Sequence, residues 1–323
     1  NPKPQTPNPK PQTPNPSLGE SRDNNSNREI MFRSTIRKVG TRGIGPLSIF
    51  SLSRRFGVDT RGFIYGSMMI PHPEKADRGG EDAVYASRQV MAVADGVGGW
   101  TNQGINPANY SRKLCKNIES ICAQSPSVDY LRNPVDLIHG AWKDNQELGS
   151  STLVVVTMPD DENKIYASYV GDSGYCILRL SGTDYFPVVE SRPQQKGFNF
   201  PRQLGWGNCG DSPKVAANYC HTVQNGDIVV LGTDGVFDNL SPKQVATVVT
   251  LYMNDNNGEF NANRIADAIA QEAFRLSIDE EYNSPFSQEA IKSGHRYAGG
   301  KSDDISVTVG KISIPHIGDV DRP

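Results

Sequence analysis

Apolar residues in this chain fall into short runs rather than long stripes. The runs are "GFIYGSMMI" (62–70), "DAVYAS" (82–87), "QVMAVADG" (89–96), "SSTLVVVTM" (150–158), "KIYASYVGD" (164–172), "GYCILRL" (174–180), "GDIVVLGTDG" (226–235) and "DISVTVGKI" (304–312). Their length and their Val, Ile and Tyr content predict strands. Several are separated by only a few residues, which demands antiparallel pairing, since a parallel crossover needs a long connection. Three segments show the helical period instead. In "PANYSRKLCKNIESICAQ" (107–124), Leu114, Ile118, Ile121 and Cys122 share a face. "SPKQVATVVTLYM" opens with Ser241 as N-cap and Pro242 at the first helical position. "NRIADAIAQEAFRL" carries the stripe Ile265, Ile269, Ala273 and Leu276. Runs of strands interrupted by helices predict an α+β fold with antiparallel sheets covered by helices. Residues 186–219 show no clear period and are expected to form a surface insertion beside the site.

The termini differ in composition. Residues 1–16 repeat "NPKPQTP" in tandem, and residues 17–30 are polar, so 1–30 is expected to be a disordered Pro/Asn-rich extension. Residues 31–57 carry Arg33, Arg37, Lys38, Arg42, Arg54 and Arg55, no acidic residue and many Ser and Thr. That composition predicts a mitochondrial targeting segment, with Met31 as a start site. A single globular domain is expected over 58–315, followed by a tail, 316–323.

The 323 residues carry a net charge of −3 and 36% hydrophobic residues, enough for one large domain without a broad nucleic-acid footprint. No apolar run approaches the ~18 residues of a membrane helix. The five cysteines, Cys115, Cys122, Cys176, Cys209 and Cys220, show no C-x-x-C. They are expected to be buried structural thiols in a reducing compartment. None has an arginine six positions later, so the loop of cysteine-dependent phosphatases is absent.

Acidic residues recur where apolar strands meet glycine: Glu81 and Asp82, Asp95 before Gly96, Asp172, Asp234 before Gly235, and Asp303 with Asp304. Taken singly, Asp172 or Asp304 is equally well a turn or cap. Taken together, strand pairing can bring these ends to one place. Converging carboxylates repel, so positive charge must sit among them, either basic side chains or divalent metals. An all-oxygen set without His or Cys selects hard ions such as Mg²⁺ or Mn²⁺. Two such ions can hold a bridging water and clamp a phosphoryl oxygen, the chemistry of phosphate-ester hydrolysis. The glycines would let the backbone approach an ion, and Gly96 could offer its carbonyl.

In order, "EDA", "VADGVGG", "GSST", "VGDSG", "LGTDGVFD" and "SDDISV" resemble the metal-dependent type 2C (PPM) serine/threonine protein phosphatases, in wording close to their mitochondrial branch. The resemblance covers roughly residues 62–314. It implies a four-layer α-β-β-α sandwich with two central antiparallel sheets, binding two Mg²⁺ or Mn²⁺ ions and a weaker third. It implies that Asp95 bridges both ions and Gly96 supplies a carbonyl. Asp82 serves one ion with Glu81 beside it, Asp234 and Asp303 hold the other, and Asp172 belongs to the third. Asp304 stands where many members have Asn. The implied substrates are phosphoproteins in the mitochondrial matrix, including those of metabolism and ubiquinone biosynthesis, acted on by a monomer.

Two departures stand out. Val97 occupies the place where many members carry a general-acid His, and none of His72, His139, His221, His295 and His316 is assignable to that role from sequence. The family's phosphate-binding Arg falls at Asp77, which leaves Arg78 as the candidate, with Arg296 and Lys301 as alternatives. These departures keep open a phosphoprotein-binding pseudophosphatase. An aspartic protease, which would share "DSG" at 172–174, needs a second such loop or a dimer.

Overall fold

The computed structural model describes residues 61–124, 128–207 and 209–315. The segments expected at 1–30, 31–57 and 316–323, with His316, lie outside them.

Two five-stranded sheets form the centre. One runs in the order β1 (Gly62–Ile70), β14 (Ile305–Ser313), β13 (Ile228–Gly232), β7 (Gly174–Ser181), β8 (Asp184–Glu190). The other runs β12 (Ala217–Thr222), β6 (Lys164–Val170), β5 (Leu153–Thr157), β3 (Val90–Asp95), β2 (Asp82–Ala86). All pairings within these two sheets are antiparallel, as the short links require. Two small pairings stand apart: β4 (Ser150–Ser151) with β11 (Leu204–Gly205), and β9 (Gln195–Gly197) with β10 (Phe200–Pro201).

The hydrophobic runs lack alternation because the strands are covered on both faces. In β3, Val90, Ala92 and Ala94 pack with Tyr110, Leu114 and Ile118 of α1 (Pro107–Ala123) and with Leu137 and Ile138, while α2 (Val128–Arg132) adds Leu131. The last pair belongs to α3 (Pro134–Lys143). Met91 and Val93 point the other way, into the space between the sheets, against Tyr175, Ile177, Val229 and Leu231. Each fully buried side chain of this size contributes roughly 1.5–3 kcal/mol. After the four-residue α4 (Asp234–Phe237), α5 (Pro242–Asp255) covers β8 and α6 (Ala262–Ser277) covers β1 and β14. A further helix, α7 (Pro285–Lys292), precedes the return into β14. The result is the expected α-β-β-α sandwich.

Two expectations need correction. Residues 186–219 are not one insertion: the segment begins within β8 and ends within β12, each at the outer edge of a sheet. Edge strands are half-solvated and bear mixed side chains, so their period is weak. Nor are all five thiols buried: Cys115 and Cys176 are, Cys122 is half-buried, and Cys209 and Cys220 are exposed. Cys220 faces outward on edge strand β12, and Cys209 lies between β11 and β12.

Candidate metal centre

Antiparallel register explains why the acidic ends converge. Asp82 at the start of β2 lies opposite Asp95 at the end of β3. The start of β5 and the end of β6 share that edge, since Leu153 pairs with Val170. In the other sheet the start of β14 meets the end of β13, where Thr233 N donates to Ser306 O. The turn 171–173, bearing Asp172, crosses between the sheets.

The "GSST" and "DSG" motifs hold Asp95 from behind. Its carbonyl accepts from Thr152 N (2.9 Å) and Ser151 Oγ (2.7 Å), and its N–H donates to Thr152 Oγ1 (3.2 Å). Thr152 Oγ1 in turn pairs with Ser173 Oγ at 2.6 Å. Gly96 is slim for a local reason: a Cβ there would lie 2.6 Å from Glu81 O and 2.8 Å from Pro107 O. At Gly235 a Cβ would lie 2.1 Å from Asp304 O, so β13 and β14 could not meet as they do.

Two ammonium groups stand among the acids. Lys75 Nζ lies 2.7 Å from Glu81 Oε2, 3.1 Å from Asp304 and 3.5 Å from Asp303. Lys301 Nζ reaches Asp234 at 2.5 Å, Asp238 at 2.7 Å and Asp303 at 3.7 Å. Arg78 is more exposed, with one 3.5 Å approach to Glu81 Oε1. Arg112 braces the 78–80 turn by donating to the carbonyls of Arg78, Gly79 and Gly80. The buried Asp304 acts as a staple. Its Oδ1 accepts from His72 N (2.7 Å), and its Oδ2 accepts from Glu81 N (2.9 Å) as well as facing Lys75.

Burial raises the carboxyl pKa of Asp82 well above the usual range, and the charges of Asp304, Asp303 and Asp234 add to it. Ser306 offers some relief but no hydrogen bond of regular geometry. Asp95 is pushed up likewise, by desolvation and then by Asp234, Asp82 and Asp303. Asp172 and Asp238 each rise to about 7, desolvation leading in both. For Asp234 the same burial is outweighed by Lys301, and its pKa falls. Burial alone would lower the Lys301 pKa, but Asp234, Asp238 and Asp303 hold it well above the ordinary value.

Both carboxylate oxygens of Asp82 and the Oδ1 atoms of Asp234 and Asp172 are buried without a hydrogen-bond partner. Orphaned buried oxygens of this kind are balanced by a proton or by a cation, and an all-oxygen set fits Mg²⁺ or Mn²⁺. Among the described residues no three acidic side chains stand in ready-made ligand geometry. Lys75 and Lys301 pair with several of them instead.

The structure thus gathers Glu81, Asp82, Asp95, Asp172, Asp234, Asp303 and Asp304 at one edge, with Gly96 beside Glu81. Arg296 is exposed and outside the cluster. Among the described histidines, only His72 is bonded into the cluster, through its backbone N–H. His139 lies beside Trp142, His221 bonds Tyr175 and His295 stacks on Phe198. Val97 donates its N–H to Ser150 O and opens a 3₁₀ turn. Sequence reasoning missed Lys75 and Asp238. Asp238 carried a signal, since it lies one helical turn beyond Asp234. Lys75 carried none, because its reach depends on how the 72–81 loop folds.

An α-β-β-α sandwich with an all-oxygen acidic cluster at one sheet edge is the layout of the phosphatases that the motifs resemble. No family model matches the chain. Over 255 residues it is 36% identical to the probable protein phosphatase 2C 80 of Arabidopsis thaliana, covering 77% of this chain and 58% of that protein. A protein phosphatase PTC7 homolog of Homo sapiens is 32% identical over 250 residues, 72% of this chain and 80% of the relative. Among solved structures, the photosystem II phosphatase PBCP superposes with a TM-score of 0.68 at 29% identity, covering 77% of this chain and 98% of that one. The catalytic domain of the serine/threonine phosphatase PstP, bound to two manganese ions, shares the fold at a TM-score of 0.52 and 16% identity over 78% of this chain and 99% of that one. The chain belongs to the type 2C (PPM) protein phosphatase family. It spans between about two-fifths and three-fifths of the length of the plant relatives it matches.

Proposed function

We propose that this chain is a protein serine/threonine phosphatase that hydrolyses phosphoserine and phosphothreonine esters with two hard divalent cations, Mg²⁺ or Mn²⁺. The observation that carries the reading is the set of buried, partnerless carboxylate oxygens on Asp82, Asp234 and Asp172 at the edge where Asp95 and Asp303 also end. Asp95, with Asp82 and the Gly96 carbonyl, would hold one ion; Asp95, Asp234 and Asp303 would hold the other. Asp172 would serve a weaker third. When bound, such ions supply Lewis acidity toward a phosphoryl oxygen and lower the pKa of a coordinated water.

The chain's own residues do the rest. Ser151 and Thr152 fix the backbone behind Asp95. Asp304 ties the 72–81 loop to β14, which keeps Lys75 and Arg78 beside Glu81 as the cationic side facing a phosphate ester. The side chain at Val97 cannot move a proton, so no general acid acts from that position.

The test is phosphate release from a phosphothreonine peptide with Mn²⁺. Chelation should abolish it, and Asp95→Asn should lower it by about a hundredfold or more. Release unchanged in Asp95→Asn overturns the reading. Binding of the phosphopeptide without release would favour a pseudophosphatase.

We further propose mitochondrial phosphoproteins, including those of metabolism, as substrates, on the basic, acid-free composition of residues 31–57. A fluorescent fusion of residues 31–57 that stays out of mitochondria overturns this.

A further inference from the structure

Converging carboxylates can be balanced by basic side chains or by metal ions, and this chain holds residues for both. Lys301 is the more deeply engaged of the two lysines. Its backbone is clamped by one side chain: Lys301 N donates to Asn239 Oδ1 (2.9 Å), and Asn239 Nδ2 donates to Lys301 O (2.8 Å). Asn239 is itself buried, and its carbonyl accepts from Tyr282 Oη at 3.0 Å. The side chain passes the Phe286 ring, with Nζ 5.0 Å from its centroid, and ends on Asp234 and Asp238. Asp234 and Asp303, which it also approaches, are two of the three carboxylates assigned above to one ion.

Lys301 Nζ faces Oδ2 of both Asp234 and Asp303 and leaves Asp234 Oδ1 without a partner, so an ion held on Oδ1 would share that carboxylate with an ammonium group, and at such distances the two cations repel strongly. We propose that Lys301 is a positioning residue that competes with a divalent ion for Asp234 and Asp303, and so sets how weakly this chain binds that ion. The inference rests on the metal-dependent reading. Its four-carbon stem lets the ammonium swing aside while the backbone stays clamped, so occupation by an ion requires no change in the fold. Lys75 is the weaker competitor, since it is nearest to Glu81 and Asp304 and shares only Asp303 with the ion.

A purely structural Lys301 makes the opposite prediction. If it merely gathered the acids, removing it would scatter them and weaken metal binding. Calorimetric titration of the full chain with Mn²⁺ alone separates the two. Lys301→Met should bind about tenfold more tightly than wild type, Lys75→Met should change less, and Lys301→Arg should remain near wild type. Unchanged or weaker binding by folded Lys301→Met overturns the proposal.

A measurement on the wild type covers the case in which the variant fails to fold. Acetylation of Lys301 by acetic anhydride, followed by mass spectrometry, should accelerate several-fold when Mg²⁺ saturates the protein. An unchanged rate, with binding seen by calorimetry, overturns the proposal. Failure of the wild type to bind either ion would instead bring down the metal-dependent reading itself, a distinct result.

Discussion

Asp303 and Asp304 are adjacent in sequence and have different surroundings. Asp304 spends its carboxylate on two backbone N–H groups, of His72 and Glu81, and on Lys75. Asp303 faces both lysines from a half-exposed position. The two should separate on substitution. Asp304→Ala leaves two N–H groups without their acceptor and should lower the unfolding free energy by roughly 2–3 kcal/mol, read by urea denaturation. Asp303→Asn should leave that free energy nearly unchanged while weakening Mn²⁺ binding and peptide dephosphorylation. Equal destabilisation by both would refute this division. Sequence alone could place both acids at a strand start but could not divide them, because the acceptor demand comes from a loop more than two hundred residues earlier.

At the scale of elements, the clearest constraint is the approach of β13 to β14. Gly235→Ala places a methyl group into Asp304 O, which must displace one of the two strand ends carrying the proposed ligands. Overpacking typically costs about 1–3 kcal/mol. The expected outcome is a lower melting temperature together with lost phosphatase activity; a variant with wild-type activity would contradict the geometry. The Ser241 cap was legible in sequence and is a full capping box with Gln244. Ser241→Ala should cost ~1 kcal/mol in stability, read by urea denaturation. The helices α3 and α7 did not stand out in sequence, being ten and eight residues long. Over so few turns the 3.6-residue period repeats too seldom to be distinct.

At the scale of the whole molecule, the acidic edge should make stability depend on pH in an unusual sense. In the folded chain, Asp172 and Asp238 titrate near 7, against 3.8 when unperturbed. Between those values the folded state retains protons that the unfolded state has lost. Their contribution is therefore fully present below about 3.8 and disappears as pH rises through about 7. With divalent ions chelated, the melting temperature should decline over that interval. Adding Mg²⁺ should offset the decline, since an ion favours the charged carboxylates. A melting temperature that rises steadily across the interval under chelation would contradict this assignment.

What the sequence determined by itself was the set of strands, their antiparallel pairing and the acidic character of their ends. Those follow from short-range facts: run length, link length, and the residue at which an apolar run stops. Asp95 is an example, because it is the residue at which the apolar run of β3 stops, just before Gly96. The tertiary structure decided which cations stand among the acids, which acid staples the 72–81 loop, and why Gly96 and Gly235 lack a side chain. Those depend on contacts between segments far apart in the chain. Lys75 and Lys301 meet on opposite sides of Asp303 only because two sheets are stacked and two loops close over the same edge.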